Sequence, residues 1–399
     1  MSFWISNLDR RPIPPDTLLP RSCNVCIIGA GLTGCSLAYY LAEYDVPDVL
    51  LLEANAYVAH GAIGRNGGHL SPSPSRLDPQ IYNFDKRTTS LVRAFLQSQE
   101  EVVQRGCELY TTGLLSYKRG TAAVEDHAVK LAERFPPMEG SRLVSDTTPI
   151  PSLQGTHQKA ILTDSGAQVY PARLVHAMWE AAQRKAKEKG LLLTTVQRKV
   201  SQVVEGAVLT EQEERIECRS VVYCGNAYGL HLLPSWLQAI VQPVRGQCVA
   251  SQGGLSLRQW MSGSWTDEGG DQYVIQRRSD GRYILGGKRF LAPHQDVGNT
   301  DDSTVDPTVR EALQSVLKEL HPEAVVEFEW TGLMAFTPDG LPVVGEVQPG
   351  YYVLCGYTGH GMVRASGCAE ALARVLSGMA DSLKGLIPDT FDAARFRTV

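Results

Sequence analysis

One stretch of 32 residues limits what this chain can become: NVCIIGAGLTGCSLAYYLAEYDVPDVLLLEAN, residues 24–55. Val25 to Ile28 is an apolar run of strand length that meets a glycine turn. A helical pattern follows, with Leu32, Cys35, Leu37, Ala38 and Leu41 on its apolar side. A second apolar run, Val49 to Leu52, then closes on Glu53. Strand, turn, helix and strand within about 30 residues make a βαβ unit, whose two strands must lie parallel. An all-helical or purely antiparallel fold is excluded for this part of the chain.

The turn inside that unit carries chemistry. Gly29, Gly31 and Gly34 stand as G-x-G-x-x-G, with Ala30 and Thr33 between them, and Glu53 lies 19 residues beyond Gly34. Glycine permits the tight turn, the close approach of a pyrophosphate to the helix N-terminus, and close helix–strand packing. The acidic residue ending the second strand accepts hydrogen bonds from a ribose. A dinucleotide is therefore expected at Gly29, Ala30, Gly31, Thr33, Gly34, Glu53 and the adjoining Ala54.

A second glycine-rich stretch, GAIGRNGGHL (61–70), follows almost at once, and a third, GYTGHGM (356–362), lies near the C-terminus. A nicotinamide enzyme would continue instead with further βα units. Two remote glycine loops can both lie against one long cofactor, so FAD is the expected dinucleotide. Backbone N–H groups of Gly64, Gly67, Gly68 and His69 would face it, with Arg65 and Asn66 as extra donors.

Elsewhere the chain reads as mixed α and β. Residues 86–150 look helical and mixed in character, a helix starts near Pro171, and a β-hairpin around Val200 precedes an apolar strand ending at Gly225. QCVAS, QYVIQRR and RYILGGK, within 241–291, suggest an antiparallel sheet. The expected class is α/β: a Rossmann-type FAD-binding domain plus an α+β substrate domain with a mixed or antiparallel sheet. Residues 22–85, 152–230 and 328–399 would form the first, and 86–151 with 231–327 the second. Residues 1–21 would be an arm laid over the surface.

Composition narrows the partners. A net charge of −5 argues against nucleic acid. No apolar run nears the roughly 20 residues that span a bilayer, and the first twenty residues lack the apolar core of a secretory signal. A cytoplasmic location is expected, with the nine cysteines as reduced thiols. Cys23 and Cys26 form C-x-x-C, but Cys26 sits in a strand and no second pair has ligand spacing, so no metal is expected.

Taken together, GAGLTG, LLEA, GRNGGHL, DGLPVVG and GYTGHGM resemble the FAD-dependent amine and amino-acid oxidoreductases, the D-amino acid oxidase superfamily that includes glycine oxidase and monomeric sarcosine oxidase. GRNGG is most similar to the γ-glutamylputrescine oxidoreductase-like branch. The resemblance runs from about residue 22 to residue 378. It implies that Val200 holds the adenine through its backbone and that Cys224 and Gly225 turn beside the pyrophosphate. It also implies that Gly332 and Met334 lie near the flavin edge. Gly356, Thr358, Gly359, His360, Gly361 and Met362 would set N–H groups at the flavin N1–C2=O, where reduced flavin carries negative charge.

Two departures from the sarcosine oxidases follow from the same resemblance. Gly332 stands where they carry the cysteine that tethers flavin, so FAD is expected to be non-covalent. Ile284 stands where they carry a lysine that activates oxygen, so oxygen or another electron acceptor remains open. Lys288 aligns with a substrate-facing position, and His69 and His360 are candidates for contacting substrate or flavin. Trp330 and Tyr357 are candidate aromatic walls, and Arg245 a support at the domain junction. The expected activity oxidises a C–N bond of a small amine or amino acid to an imine. The alternatives are a flavin dehydrogenase of a 2-hydroxy acid or secondary metabolite, and a non-catalytic flavoprotein scaffold.

Overall fold

The two apolar runs at the start of the chain, Ser22–Ile28 and Val49–Glu53, pair in parallel from Val25 against Val49 to Ile28 against Leu52. Between them the helix Leu32–Glu43 packs so closely that a Cβ on Gly34 would lie 1.9 Å from the Gly29 carbonyl oxygen. Only glycine fits there, which is why the third glycine of the turn is needed for packing alone.

A computed structural model describes residues 1–8, 11–14, 17–72, 78–117, 141–145, 159–257, 262–267 and 270–397. They form two units. The first comprises Met1–Asn7, Arg65–Pro171 and Val244–Gly332; the second comprises Leu8–Gly64, Ala172–Pro243 and Leu333–Val399. Where the sequence suggests one segment over 22–85, the chain passes to the other unit at Arg65.

The second unit is built on an eight-stranded sheet. Its main path runs Val200–Val204, Ala207–Thr210, Arg215–Tyr223, Ser22–Ile28, Val49–Glu53 and Leu193–Gln197. The strand Tyr351–Cys355 joins in parallel to the far half of Arg215–Tyr223, and Val343–Gln348 pairs antiparallel beside it. Parallel central strands buried on both faces read as continuous apolar runs, as VCII and VLLL do. The helix Ala365–Leu376 lies along Leu32–Glu43 through small residues, with Ser36 and Ser366 hydroxyls 2.9 Å apart.

The first unit holds a mixed eight-stranded sheet in the order Val326–Phe336, Gln242–Ser251, Tyr283–Gly287, Gly270–Gln276, Ser262–Asp267, Leu114–Tyr117, Lys159–Thr163 and Ser141–Ser145. One face is covered by the helix Pro307–Leu320, whose Val309, Leu313, Val316 and Leu317 meet Val249, Val274, Tyr283 and Leu285. Strand alternation then sends Cys248, Ala250, Tyr273, Ile275, Ile284 and Gly286 to the opposite face. Residues 86–150 are not helical throughout. Helices end at Cys107, and Tyr110–Thr111, Leu114–Tyr117 and Ser141–Ser145 are strands; 118–140 and 146–150 lie outside the described residues.

The arm expected on the surface goes inside only at its start, while Arg11, Pro12, Pro14 and Leu18 are exposed. Phe3, Trp4 and Ile5 form a short helical turn buried in the first unit, Trp4 only 1% exposed. FWI is a local apolar run, and its burial releases more free energy than its solvation. No helix among the described residues is long and apolar enough to cross a membrane.

Candidate functional site

In the second unit, the glycine turn leaves the Ser22–Ile28 strand with Gly29 at φ 103°, a left-handed conformation that strains any other residue. The helix after it has no side-chain cap at Gly31, so its first N–H groups remain available to an anion. A Cβ placed on Gly31 would meet nothing within 4 Å, whereas Gly29 is closed in by Cys224 and Gly34 by Gly29. The open side of the turn is thus at Gly31, beside uncapped helix donors. That is the geometry a pyrophosphate needs.

Glu53 ends its strand facing this turn. One carboxylate oxygen accepts from the Ala30 N–H at 2.8 Å, the other from Asn55 N at 2.9 Å and Nδ2 at 2.7 Å. A carboxylate offers about four acceptor positions, so ribose hydroxyls still find room. Arg198 donates its backbone N–H to the Glu53 carbonyl at 2.8 Å, which brings the strand opened by Val200 alongside. Ala54, the next residue, is exposed. The donors, the open turn and the acidic strand end fit the adenosine diphosphate half of FAD.

Two further turns of the same unit are tied together. Cys224 N–H donates to the Ile28 carbonyl at 2.9 Å, and a Cβ on Gly225 would lie 2.4 Å from the Tyr228 carbonyl oxygen. Asn226, at φ 52°, accepts the Gly356 N–H on its side-chain oxygen at 3.1 Å. The 356–362 loop is then folded tightly: Thr358 N–H donates to Ala335, His360 N–H to Tyr357, and Gly361–Val363 is a 3-10 turn. Met334 Sδ would stand 3.9 Å from a Cβ on Gly359. Tyr357 is buried and its hydroxyl receives the Thr33 hydroxyl at 3.2 Å, so it packs on the glycine-turn helix rather than forming a wall. The helix Ala365–Leu376 follows the loop.

Gly64 ends the first segment of the second unit, its N–H donating to the Gly61 carbonyl. From Arg65 the glycine-rich loop belongs to the first unit, where it is braced from three sides. The Arg65 guanidinium donates to the Asp302 and Thr331 carbonyls at 2.9 and 3.0 Å and pairs with the Asp302 carboxylate at 3.4 Å. Its carbonyl accepts the Trp330 indole N–H at 2.7 Å. Asn66 accepts the Gly68 N–H on its side chain and the Trp4 indole N–H on its carbonyl. Arg65 and Asn66 therefore brace the loop from within. Trp330 is likewise a brace and not a wall. A Cβ on Gly332 would lie 2.8 Å from Arg65 Cβ, so this arrangement excludes any side chain there.

The loop lies on the sheet face opposite the Pro307–Leu320 helix. Cβ atoms on Gly67 and Gly68 would meet Tyr273 at 2.4 Å and Trp4 at 2.9 Å. Tyr273 packs edge-on to His69 and its hydroxyl is 3.2 Å from Cys248 Sγ. Burial pushes the Tyr273 phenol well above its ordinary range and the Cys248 thiol up to about 12. Ile284, between Ala250 and Ile275, is fully buried on this face. Sequence reading missed Tyr273 and Cys248, although the period of two in QYVIQ already sets Tyr273 and Ile275 on one side.

His69 pairs in a small strand with Gln168. Its ring keeps some exposure, but Nε2 is sealed from solvent and has no hydrogen-bond partner among the described residues. Burial pulls its pKa down from 6.5 to about 4, partly offset by a hydrogen bond to the Val274 backbone. The imidazole is therefore neutral at physiological pH. Between pH 6.5 and 4 the unfolded chain binds this proton and the folded chain does not, so stability falls as pH falls through that window. At pH 5 the loss should reach up to about 2 kcal/mol. Thermal melting of the parent and His69→Asn at pH 7 and pH 5 checks this; an equal drop in both would show that His69 carries none of it.

Lys288 closes the strand Tyr283–Gly287 in a left-handed conformation, φ 58°, and is half-buried. Arg245 follows the crossing from one unit to the other, between Pro243 and Val244, and its buried guanidinium forms two hydrogen bonds with Asp296 of the first unit at 3.1 Å.

The profile of the family described as FAD dependent oxidoreductase matches residues 24–375. The chain is similar to γ-glutamylputrescine oxidoreductase of Escherichia coli, 24% identical over 92% of this chain and 87% of that protein. It is also similar to glycine oxidase of Pseudomonas aeruginosa, 25% identical over 89% and 94% respectively. Among solved structures, L-proline dehydrogenase from P. horikoshii superposes with a TM-score of 0.76 at 19% identity, covering 95% of this chain and 99% of that one.

Proposed function

The chain belongs to the FAD dependent oxidoreductase family, and from that premise we propose that it oxidises the C–N bond of a small amine or amino acid to an imine, which water then hydrolyses. Bound FAD supplies the acceptor for the hydride leaving the substrate carbon. The observation that carries the substrate class is the buried, neutral His69 on an apolar sheet face. An ammonium ion would lose its hydration there without gaining a counter-charge. The free amine keeps the lone pair that becomes the C=N bond. The two curated relatives cited above, one named for γ-glutamylputrescine and one for glycine, support the same class.

For this chemistry the protein need only orient and desolvate its substrate. Lys288 is the group proposed to pair with a substrate carboxylate. Under anaerobic conditions, amines or amino acids should bleach the flavin, faster as pH rises and the ammonium deprotonates. Lys288→Met should raise KM for a carboxylated substrate by about 10–150-fold, equivalent to roughly 1.5–3 kcal/mol, and leave its decarboxylated analogue unaffected. Bleaching by 2-hydroxy acids with a flat pH profile, and none by amines, would instead identify a hydroxy-acid dehydrogenase. A flavin that no substrate reduces would mean a scaffold.

FAD is proposed to be held without a covalent bond, since Gly332 offers no thiol and no room for one. Acid precipitation should leave the flavin in the supernatant; colour retained in the pellet would overturn this.

A further inference from the structure

Three thiols from two distant parts of the sequence meet in the second unit. Cys23 and Cys26 lie on the Ser22–Ile28 strand, and Cys218 is the partner of Cys23 on the parallel neighbour Arg215–Tyr223. The simple alternation of side chains slips on both strands. Cys26 and Ile28 share one core cluster with Cys218, Val221 and Tyr223, and Cys23 packs against it. All three sulfur atoms consequently lie within 4.8 Å of one another, Cys23 and Cys218 at 3.7 Å. The C-x-x-C seen in sequence lacked a third ligand only because that ligand is 195 residues away.

We propose that Cys23, Cys26 and Cys218 form a binding site for one divalent thiophilic ion of the zinc type. Tetrahedral zinc thiolates have metal–sulfur bonds of about 2.3 Å, hence sulfur separations of about 3.8 Å. The observed spacing reaches that by small side-chain rotations. A disulfide would need two of these sulfurs about 2.05 Å apart, whereas Cys23 and Cys218 stand at 3.7 Å.

Charge selects the ion. Three thiolates around a divalent cation leave one net negative charge, while a monovalent cation would leave two in an apolar core. Binding releases the thiol protons and breaks the hydrogen bonds from Cys23 Sγ to Cys218 Sγ and from Cys218 Sγ to the Ile216 carbonyl. Cys23 is half-buried, the other two buried, so the fourth position opens toward solvent on the Cys23 side and takes water. The site lies about 10–20 Å along the strand from Gly29, Cys26 being the nearer ligand and Cys23 the farther. Its occupancy does not depend on the catalytic reading.

The reduced, chelator-treated FAD holoenzyme should be titrated with cobalt(II) chloride. One equivalent per chain is expected, with tetrahedral d–d bands to the red of the flavin absorption that vanish when zinc chloride is added. Cys23→Ser and Cys218→Ser should each weaken binding at least about 100-fold while keeping full FAD content, which reports the intact second unit. Absent bands, bands unchanged in both variants, or thiol counting that shows Cys23 and Cys218 joined as a disulfide would each overturn the proposal.

Discussion

Gly31→Val should lose FAD while the chain remains folded. The open side of the turn is the reason: a Cβ at Gly31 meets no protein atom within 4 Å, and the backbone there, at φ −85°, accepts any residue. Valine would therefore occupy space that only the cofactor needs. An affinity loss of at least about 100-fold, some 2.7 kcal/mol, is expected. Glu53→Arg should lose FAD as well, by removing the ribose acceptor and placing a cation beside Ala30. Gly34→Val is the contrasting case. Its Cβ would overlap the Gly29 carbonyl oxygen at 1.9 Å, so that variant should fail to fold. Flavin content and circular dichroism of the three variants separate the outcomes. Stoichiometric FAD in both Gly31→Val and Glu53→Arg would show that the cofactor lies elsewhere.

Trp4→Ala should be the most damaging single change near the N-terminus. The ring packs edge-on to Tyr170 and Phe3 at 4.9 and 5.2 Å and fills the space that Gly68 leaves. Its indole N–H donates to Asn66, and its carbonyl accepts the Tyr170 hydroxyl at 2.8 Å. Truncating a buried tryptophan costs about 3–5 kcal/mol, a fall in melting temperature of roughly 10 °C. Trp4→Phe keeps most of the apolar area and loses only the hydrogen bond, about 1 kcal/mol. A Trp4→Ala protein that melts within a degree or two of the parent would leave the N-terminal turn with no structural role.

These two changes stand at opposite ends of what a reader of the sequence can see. Gly29, Gly31, Gly34 and Glu53 are legible because their logic is local. A turn, a helix start and a strand end follow one another within one βαβ unit, and each glycine is demanded by backbone geometry a few residues away. The family resemblance likewise rests on such short runs. Trp4 is also an apolar residue in plain view, yet periodicity states only that a face will be buried and never against what. With prolines following it in the chain, the turn looked like a surface arm.

By itself, then, the sequence determined the parallel βαβ core, the dinucleotide and the strand content of the sheet around 241–291. It could not determine whether Arg65 reaches toward a cofactor or inward to Asp302 and Thr331, since both uses suit a guanidinium in a glycine-rich loop. Nor could it place Asn226 on Gly356, Tyr273 under Gly67, or Cys218 beside Cys23. Those contacts join residues more than a hundred positions apart. Hydrophobic burial draws such segments together without direction, and only the register of paired strands and the room left by particular glycines decide which side chains then touch.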